Sequence, residues 1–192
     1  MFDVKKYTYT PGTDWFHNSE LRRLLVMHYP RFQLNTMLEI GSFEGLSSCF
    51  FADEFLEHKE STLTCVDPFD LSDKTSPLTS TTKEIFTSNI KNTSNYSKID
   101  TIESFSDEFF KTNVTKYNFI YIDGSHIPED IVRDMDNAWK CLQQGGIMWM
   151  DDYKGNQDIT FAINEQIKKW NPSDLCIIHM GYQLALRKLT ND

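Results

Sequence analysis

Basic residues are scarce, glycine is sparse, cysteines are few and scattered, and no long apolar run occurs. Lys and Arg number 19 against 28 Asp and Glu, a formal charge of −9 in 192 residues. So acidic a chain lacks the electrostatic footprint of a duplex-binding protein, and no nucleic-acid partner is expected. No apolar stretch approaches the roughly 20 residues that span a bilayer, so no membrane partner is expected. Met1–Lys6 carries charges with no apolar signal core behind them. Cys49, Cys65, Cys141 and Cys176 form no C-x-x-C pair. They read as reduced, partly buried residues of a cytoplasmic protein. In that setting the N-x-S/T triplets at Asn92, Asn95 and Asn113 are accidental. With 8 Gly, 6 Pro and 40% hydrophobic residues, collagen-like and broadly disordered chains are excluded. The length suits one domain over 1–192, with an N-terminal segment and helix over 1–35 before a core over 36–188.

Apolar β-type runs alternate with helical patterns. Asn18-Ser19 caps a helix that starts at Glu20 and ends before Pro30. Strands are expected at 36–40, 63–66, 99–102, 117–122 and 147–150. Helices are expected at about 45–57, 82–91 and 158–170, with a loop from Phe69 to Ser80. Pro128 opens a further helix, whose apolar residues Ile131, Met135, Ala138 and Leu142 recur at helical spacing. Gly145-Gly146 is expected to close that helix. Two last runs, 175–179 and 182–186, flank Met180-Gly181 and read as an antiparallel hairpin. Such alternation implies an α/β fold with a mainly parallel sheet covered on both faces. Ligands in such sheets sit beyond the carboxyl ends of the strands, where every polar cluster of this chain falls.

The first strand runs into Glu39-Ile40-Gly41-Ser42-Phe43-Glu44-Gly45. Gly41 permits a tight turn and close approach of a ligand, and Gly45 permits close packing as the helix starts. The spacing is not G-x-G-x-x-G, which disfavours a nicotinamide enzyme. Glu44 would repel a pyrophosphate, so a cationic or zwitterionic ligand suits the turn better; an ordinary strand–helix turn is the alternative. Asp67, ending the second strand, is placed to accept from both hydroxyls of a ribose, or else it starts a turn before Pro68. Glu103-Ser104-Phe105 could meet an adenine, or form a helix cap and a core aromatic.

Asp123-Gly124-Ser125-His126 follows the fourth strand and Asp151-Asp152 the fifth. If these strands are neighbours the carboxylates converge, and three together need a cation or shared protons. Oxygen ligands favour Mg²⁺, Mn²⁺ or Ca²⁺ over zinc. Asp151 and Asp152 can serve one ion only if the strand has ended and the backbone turns. Solvated loop acids are the alternative. His126 reads as a base toward a substrate hydroxyl, as a further metal ligand, or as a helix-start residue.

At these residues the chain resembles the class I S-adenosylmethionine-dependent methyltransferases, over about 36–186. The resemblance rests on Glu-x-Gly-x-x-x-Gly, the acid at Asp67, Gly145-Gly146 and the terminal hairpin. It implies a Rossmann-like, seven-stranded, mostly parallel sheet in the order 3-2-1-4-5-7-6. The stretch from Phe119 to His126, then a helix and Gly-Gly-x-x-x-x-Asp-Asp, is similar to the metal-dependent O-methyltransferases, especially those acting on sugar hydroxyls of macrolides and related glycosides. That likeness implies Asp123, Asp151 and Asp152 as holders of Mg²⁺ (or Mn²⁺) and His126 as the base. It also implies a pocket for S-adenosyl-L-methionine lined by Gly41, Ser42, Glu44, Asp67, Ser104 and Asp123. The catechol and caffeoyl-CoA branches carry Asp-Asn where this chain has Asp152-Tyr153, which weakens that analogy and leaves Asp151 as the third carboxylate. The expected partner is a small-molecule or glycan acceptor. A catechol-like phenolic diol and a non-catalytic cofactor-binding module are the alternatives. Tyr7, Tyr9, Trp15 and Phe16 in the N-terminal segment could cover an acceptor, or make core or homodimer contacts.

Overall fold

Strand β1 (Thr36–Ile40) is buried along nearly its whole length, Glu39 included, as expected of a strand covered on both faces. A computed structural model describes residues 2–70 and 79–190. Residues 71–78 of the expected loop lie outside the described residues. β1 pairs in parallel with β2 (Thr62–Val66) on one side and β4 (Tyr117–Ile122) on the other. β3 (Ile99–Ile102) extends the sheet beyond β2, and β5 (Leu142–Met150) extends it beyond β4. β7 (Leu184–Lys188) runs antiparallel to β5 and to the edge strand β6 (Leu175–Met180). The order is 3-2-1-4-5-7-6, as the sequence predicts, and it reverses between β1 and β4.

Alternating side chains divide the core in two. Met37, Phe119, Tyr121 and Trp149 point to one face, against α1 (Glu20–His28), α2 (Leu46–Phe55) and α3 (Thr82–Lys91). Leu38, Ile120, Ile122 and Met148 point to the other, against α4 (Ser106–Thr112), α5 (Pro128–Cys141) and α6 (Gln157–Lys169). The N-terminal segment joins the first of these cores. Phe2, Tyr7 and Phe16 are buried there, and the Tyr7 hydroxyl donates to Asp53 at 2.5 Å. Trp15 alone of the aromatics at 7–16 is largely exposed. Cys49, Cys65 and Cys141 are buried free thiols and Cys176 is exposed. No helix of the described residues is long and apolar enough to cross a membrane.

Two elements depart from expectation. β5 begins at Leu142, five residues early, so Gly145-Gly146 lies inside a strand instead of closing a helix. Leu142 pairs with Tyr117, and the register then shifts before Phe119 pairs with Ile147. Gly145 absorbs that irregularity at φ +77°, as glycine does in a bulge. β7 starts two residues later than expected, because 181–183 forms the hairpin turn. The seven-residue helix α4 starts directly after Glu103-Ser104-Phe105, where a helix cap is one of the two readings, although Phe105 at the cap position is exposed and is no core aromatic.

Asp134 of α5 is buried, and its Oδ1 has no hydrogen-bond partner. Burial pushes its carboxyl from 3.8 up to about 6, with the Ser106 hydroxyl pulling partly back. The folded chain therefore holds this proton more tightly than the unfolded chain. Stability from Asp134 is greatest below about pH 4 and is lost as pH rises through about 6. Asp134→Asn is expected to stabilise the protein by about 2–3 kcal/mol at pH 8 and by little at about pH 4. Urea unfolding at the two pH values checks this, and an equal gap at both would contradict it.

Candidate functional site

The carboxyl ends of β2, β1 and β4 are pinned to one another. Gly41 N–H donates to Val66 O at 2.9 Å, and Asp123 N–H donates to Ile40 O at 2.8 Å. Gly41 sits at φ +85°, and a Cβ there would lie 2.1 Å from the Asp123 carbonyl oxygen. Among the described residues, three non-glycine residues hold left-handed backbone: Phe43, Phe69 and Asp152, at φ 48°, 47° and 50°. They follow β1, β2 and β5 at the same edge of the sheet. Such strain costs about 1–3 kcal/mol per residue and collects at functional sites.

The sequence-predicted cofactor residues divide into those that build the turn and those that face outward. Glu39 is fully buried and accepts from the hydroxyls of Ser42 (2.9 Å), Ser47 (2.5 Å) and Ser48. Burial pushes its carboxyl up while those hydroxyls pull it back. Its contacts thus tie the turn to the start of α2. Asp67 accepts three backbone N–H bonds, from Ser42 (2.8 Å), Phe43 (2.9 Å) and Phe69 (2.7 Å). A carboxylate has about four lone-pair sites, so about one remains for a hydroxyl where two were expected.

Glu44 does not face an open pocket. It is buried, and it accepts from Thr10 N–H (2.8 Å), Thr10 Oγ1 (2.6 Å) and Thr13 Oγ1 (3.1 Å). Its charge straps the N-terminal segment across the turn. Gly45, at φ +81°, lets the Phe86 ring approach to 2.8 Å of where a Cβ would be. Ser104 N–H donates to Asp67 O at 3.3 Å. Phe105 leaves an open ring face, being 57% exposed. Glu103 is exposed and pairs with Lys83 at 2.5 Å. Trp15 is 60% exposed and lies 5.5 Å, ring to ring, from Phe43.

At the ends of β4 and β5 the acids converge around tyrosine. The buried Tyr121 hydroxyl lies 2.9 Å from Asp123 Oδ2 and 2.6 Å from Asp151 Oδ2. One hydroxyl proton thus serves two carboxylates. Burial and the Asp151 charge hold the Asp123 carboxyl well above the usual range. Asp151 Oδ1 also accepts from Gln183 Nε2 (2.9 Å) and from Asp152 N–H (2.8 Å).

The left-handed turn at Asp152 ends the strand, as shared service of one ion would demand, and sends its side chain elsewhere. Asp152 Oδ2 lies 2.7 Å from His126 Nε2, and Oδ1 accepts from the Tyr182 hydroxyl. The Asp152 hydrogen bond pushes the His126 imidazole up, and His126 holds the Asp152 carboxyl down. Among the described residues, Asp123, His126 and Asp152 each bring one ligand atom within 4.8 Å of the others. Asp151 stands behind this group, its oxygens already engaged. Two carboxylates and an imidazole, backed by a third carboxylate with too few protons, fit a divalent cation with oxygen preference.

Sequence reasoning missed Tyr121, Tyr182 and Gln183. A signal existed for the first. Tyr121, near the end of β4, and Asp123, one residue past it, are two residues apart, a spacing that puts both on the same side while the backbone stays extended.

The family model described as a methyltransferase domain matches residues 38–153. No curated protein matches the chain by sequence. Among solved structures, the provisionally named rRNA methylase of Clostridium thermocellum superposes with a TM-score of 0.69 at 12% identity, covering 90% of this chain and 96% of its own. The O-methyltransferase TomG of Streptomyces achromogenes, involved in tomaymycin synthesis and solved with S-adenosylmethionine, gives 0.65 at 15%, covering 89% and 78%. An O-methyltransferase of Bacillus cereus, solved with S-adenosylhomocysteine, gives 0.60 at 16%, covering 95% and 83%. At these identities the likeness is one of fold.

Proposed function

We propose, from the premise that this chain belongs to the methyltransferase-domain family matched over residues 38–153, that it transfers a methyl group from S-adenosyl-L-methionine to a hydroxyl of a sugar or glycoside with the help of Mg²⁺ or Mn²⁺. The observation that carries this reading is the meeting of Asp123, His126 and Asp152 at the ends of adjacent strands, beside the glycine turn that packs on Asp123. When bound, the cofactor supplies an electrophilic methyl on a sulfonium, and the ion supplies Lewis acidity toward vicinal oxygens.

The chain's own groups do the rest. Asp123 and Asp152 would hold the ion, with Asp151 adding charge from behind. His126, one nitrogen engaged by Asp152, has its Nδ1 to take the acceptor's proton. The turn at Gly41 would receive the cofactor along the backbone, with Asp67 offering its remaining lone pair to the ribose. Phe105 would offer its open face to the adenine. Much of the acceleration would come from alignment of acceptor oxygen and methyl by these groups.

Trp15 and Phe43 present an aromatic surface that suits the apolar face of a pyranose and a flat phenol alike. One feature supports a sugar over a catechol. Tyr153, in the position where the catechol pattern has Asn, is buried with its hydroxyl on Asn164 at 3.0 Å and is no ligand. The net charge of −9 argues against RNA as the acceptor. Residues 36–188 would then be the catalytic core, and 1–35 its cover.

Binding of S-adenosylmethionine by calorimetry, followed by methyl-transfer assays on glycoside and catechol panels with and without EDTA, tests the reading. Turnover of glycosides is expected to fall at least about 100-fold on chelation and to return with Mn²⁺. Undiminished turnover in EDTA would make the acids structural. Preference for catechols would replace the acceptor class.

A further inference from the structure

Gln183, in the turn between β6 and β7, is fully buried, and its side-chain amide is engaged at both ends. Its Oε1 accepts from Leu21 N–H at 2.7 Å and from the Trp149 indole N–H at 3.2 Å. Both partners can only donate, so the amide oxygen must face them and the amide nitrogen must face Asp151. Asp151 Oδ1 lies 2.9 Å from that nitrogen. The opposite carboxylate oxygen accepts from Tyr121, whose hydroxyl also reaches Asp123. Gln183, Asp151, Tyr121 and Asp123 thus form one continuous hydrogen-bonded chain from a surface hairpin to the candidate site.

The hairpin is itself fastened to α1. Gln183 N–H donates to Glu20 Oε2 at 3.2 Å, and the same oxygen lies 2.8 Å from His179 Nε2. The His179 ring stacks on Trp149 at 5.4 Å. A Cβ on Gly181 would fall 2.4 Å from the Glu20 carboxylate, which would have to shift to admit it.

We propose that Gln183 is a positioning residue. It fixes the rotation of the Asp151 carboxylate and, through Tyr121, the orientation of Asp123, so that docking of the first turn of α1 on the hairpin sets the geometry of the acid site. The catalytic consequence rests on the methyl-transfer reading; the positioning itself does not.

The test compares Gln183→Met with the wild type. In the ligand-free protein, the side-chain carboxyl ¹³C resonances of both Asp151 and Asp123 are expected to move. With cofactor, Mn²⁺ and a glycoside acceptor, kcat is expected to fall about 100-fold, the order of loss that misplacement by about an ångström brings. KM for S-adenosylmethionine should stay within about two-fold, since that pocket is untouched. A folded Gln183→Met protein with the wild-type Asp123 resonance overturns the proposal. Should that variant fail to fold, the double variant Gln183→Met/Trp149→Phe takes its place. It removes the amide donor toward Asp151 together with the indole donor that would otherwise be left unpaired, and unmoved carboxyl resonances there overturn the proposal equally. A wild-type protein that methylates no acceptor would sink the functional reading, while the ligand-free spectra would still decide the positioning role.

Discussion

His126→Ala is expected to lower kcat for methyl transfer by about 10²–10⁴-fold, the usual contribution of a positioned general base. S-adenosylhomocysteine affinity should stay unchanged, because no cofactor contact is assigned to the imidazole. The variant should also fold normally. The His126 side chain is 62% exposed, so its removal opens no cavity, and a change within about 0.5 kcal/mol is expected. The Asp152 carboxylate gives the experiment a second arm. It holds one imidazole nitrogen at 2.7 Å, which orients the ring and favours its protonated form. If His126 and Asp152 act as one unit, Asp152→Asn combined with His126→Ala should be little worse than the poorer single variant. Mn²⁺ titration separates the remaining possibility. A histidine that binds the ion would lose metal affinity on substitution, whereas a base would lose turnover alone. Unchanged turnover in His126→Ala would remove the base from the mechanism.

The residues that convey this arrangement were unequally legible. β1, β3, β4 and α3 follow their sequence patterns to the residue, although β1 buries Glu39 and α3 buries Thr82 and Asn89 among their apolar residues. Gly145-Gly146 misled because a glycine pair after a helical run usually marks a helix stop. The pairing of Leu142 with Tyr117 is a tertiary fact that local preference does not carry. The acids at 123, 151 and 152 were visible as residues at strand ends, while their division of labour was not. It depends on a left-handed turn at Asp152 and on the partners of Asp151, Tyr121 and Gln183, which lie about thirty residues from it in sequence. Glu44 shows the same limit. Read locally it is a charge at a helix start; in the fold its partners are Thr10 and Thr13, more than thirty residues upstream. Asp67 likewise meets the backbone of another strand's turn. Side chains whose partners are non-local are where pattern reading stops.

Gly41→Ala should be among the most damaging single substitutions in the chain, at least about 4 kcal/mol if the protein folds at all. Two penalties combine. A residue with a Cβ at φ +85° loses about 1–2 kcal/mol from conformation alone. The added methyl would then sit 2.1 Å from the Asp123 carbonyl oxygen and 2.5 Å from Gly124 Cα. Those are backbone atoms, so no rotamer change relieves the clash; the ends of β1 and β4 must part, and the bond from Asp123 N–H to Ile40 O must lengthen. Two other glycines calibrate the effect. Gly12 has φ +91° but nothing within 4 Å of its Cβ position, so Gly12→Ala should show only the conformational loss of about 1–2 kcal/mol. At Gly45, φ +81°, the neighbour at 2.8 Å is the Phe86 ring, a side chain that can shift, and its variant should fall between the two. Urea midpoints in the order wild type, Gly12→Ala, Gly45→Ala, Gly41→Ala, from most to least stable, are the expected result. A Gly41→Ala protein as stable as Gly12→Ala would mean that β1 and β4 do not approach this closely at their ends. Because that approach also carries the Asp123 backbone to the glycine turn, cofactor binding should be lost in Gly41→Ala together with stability, and retained in Gly12→Ala.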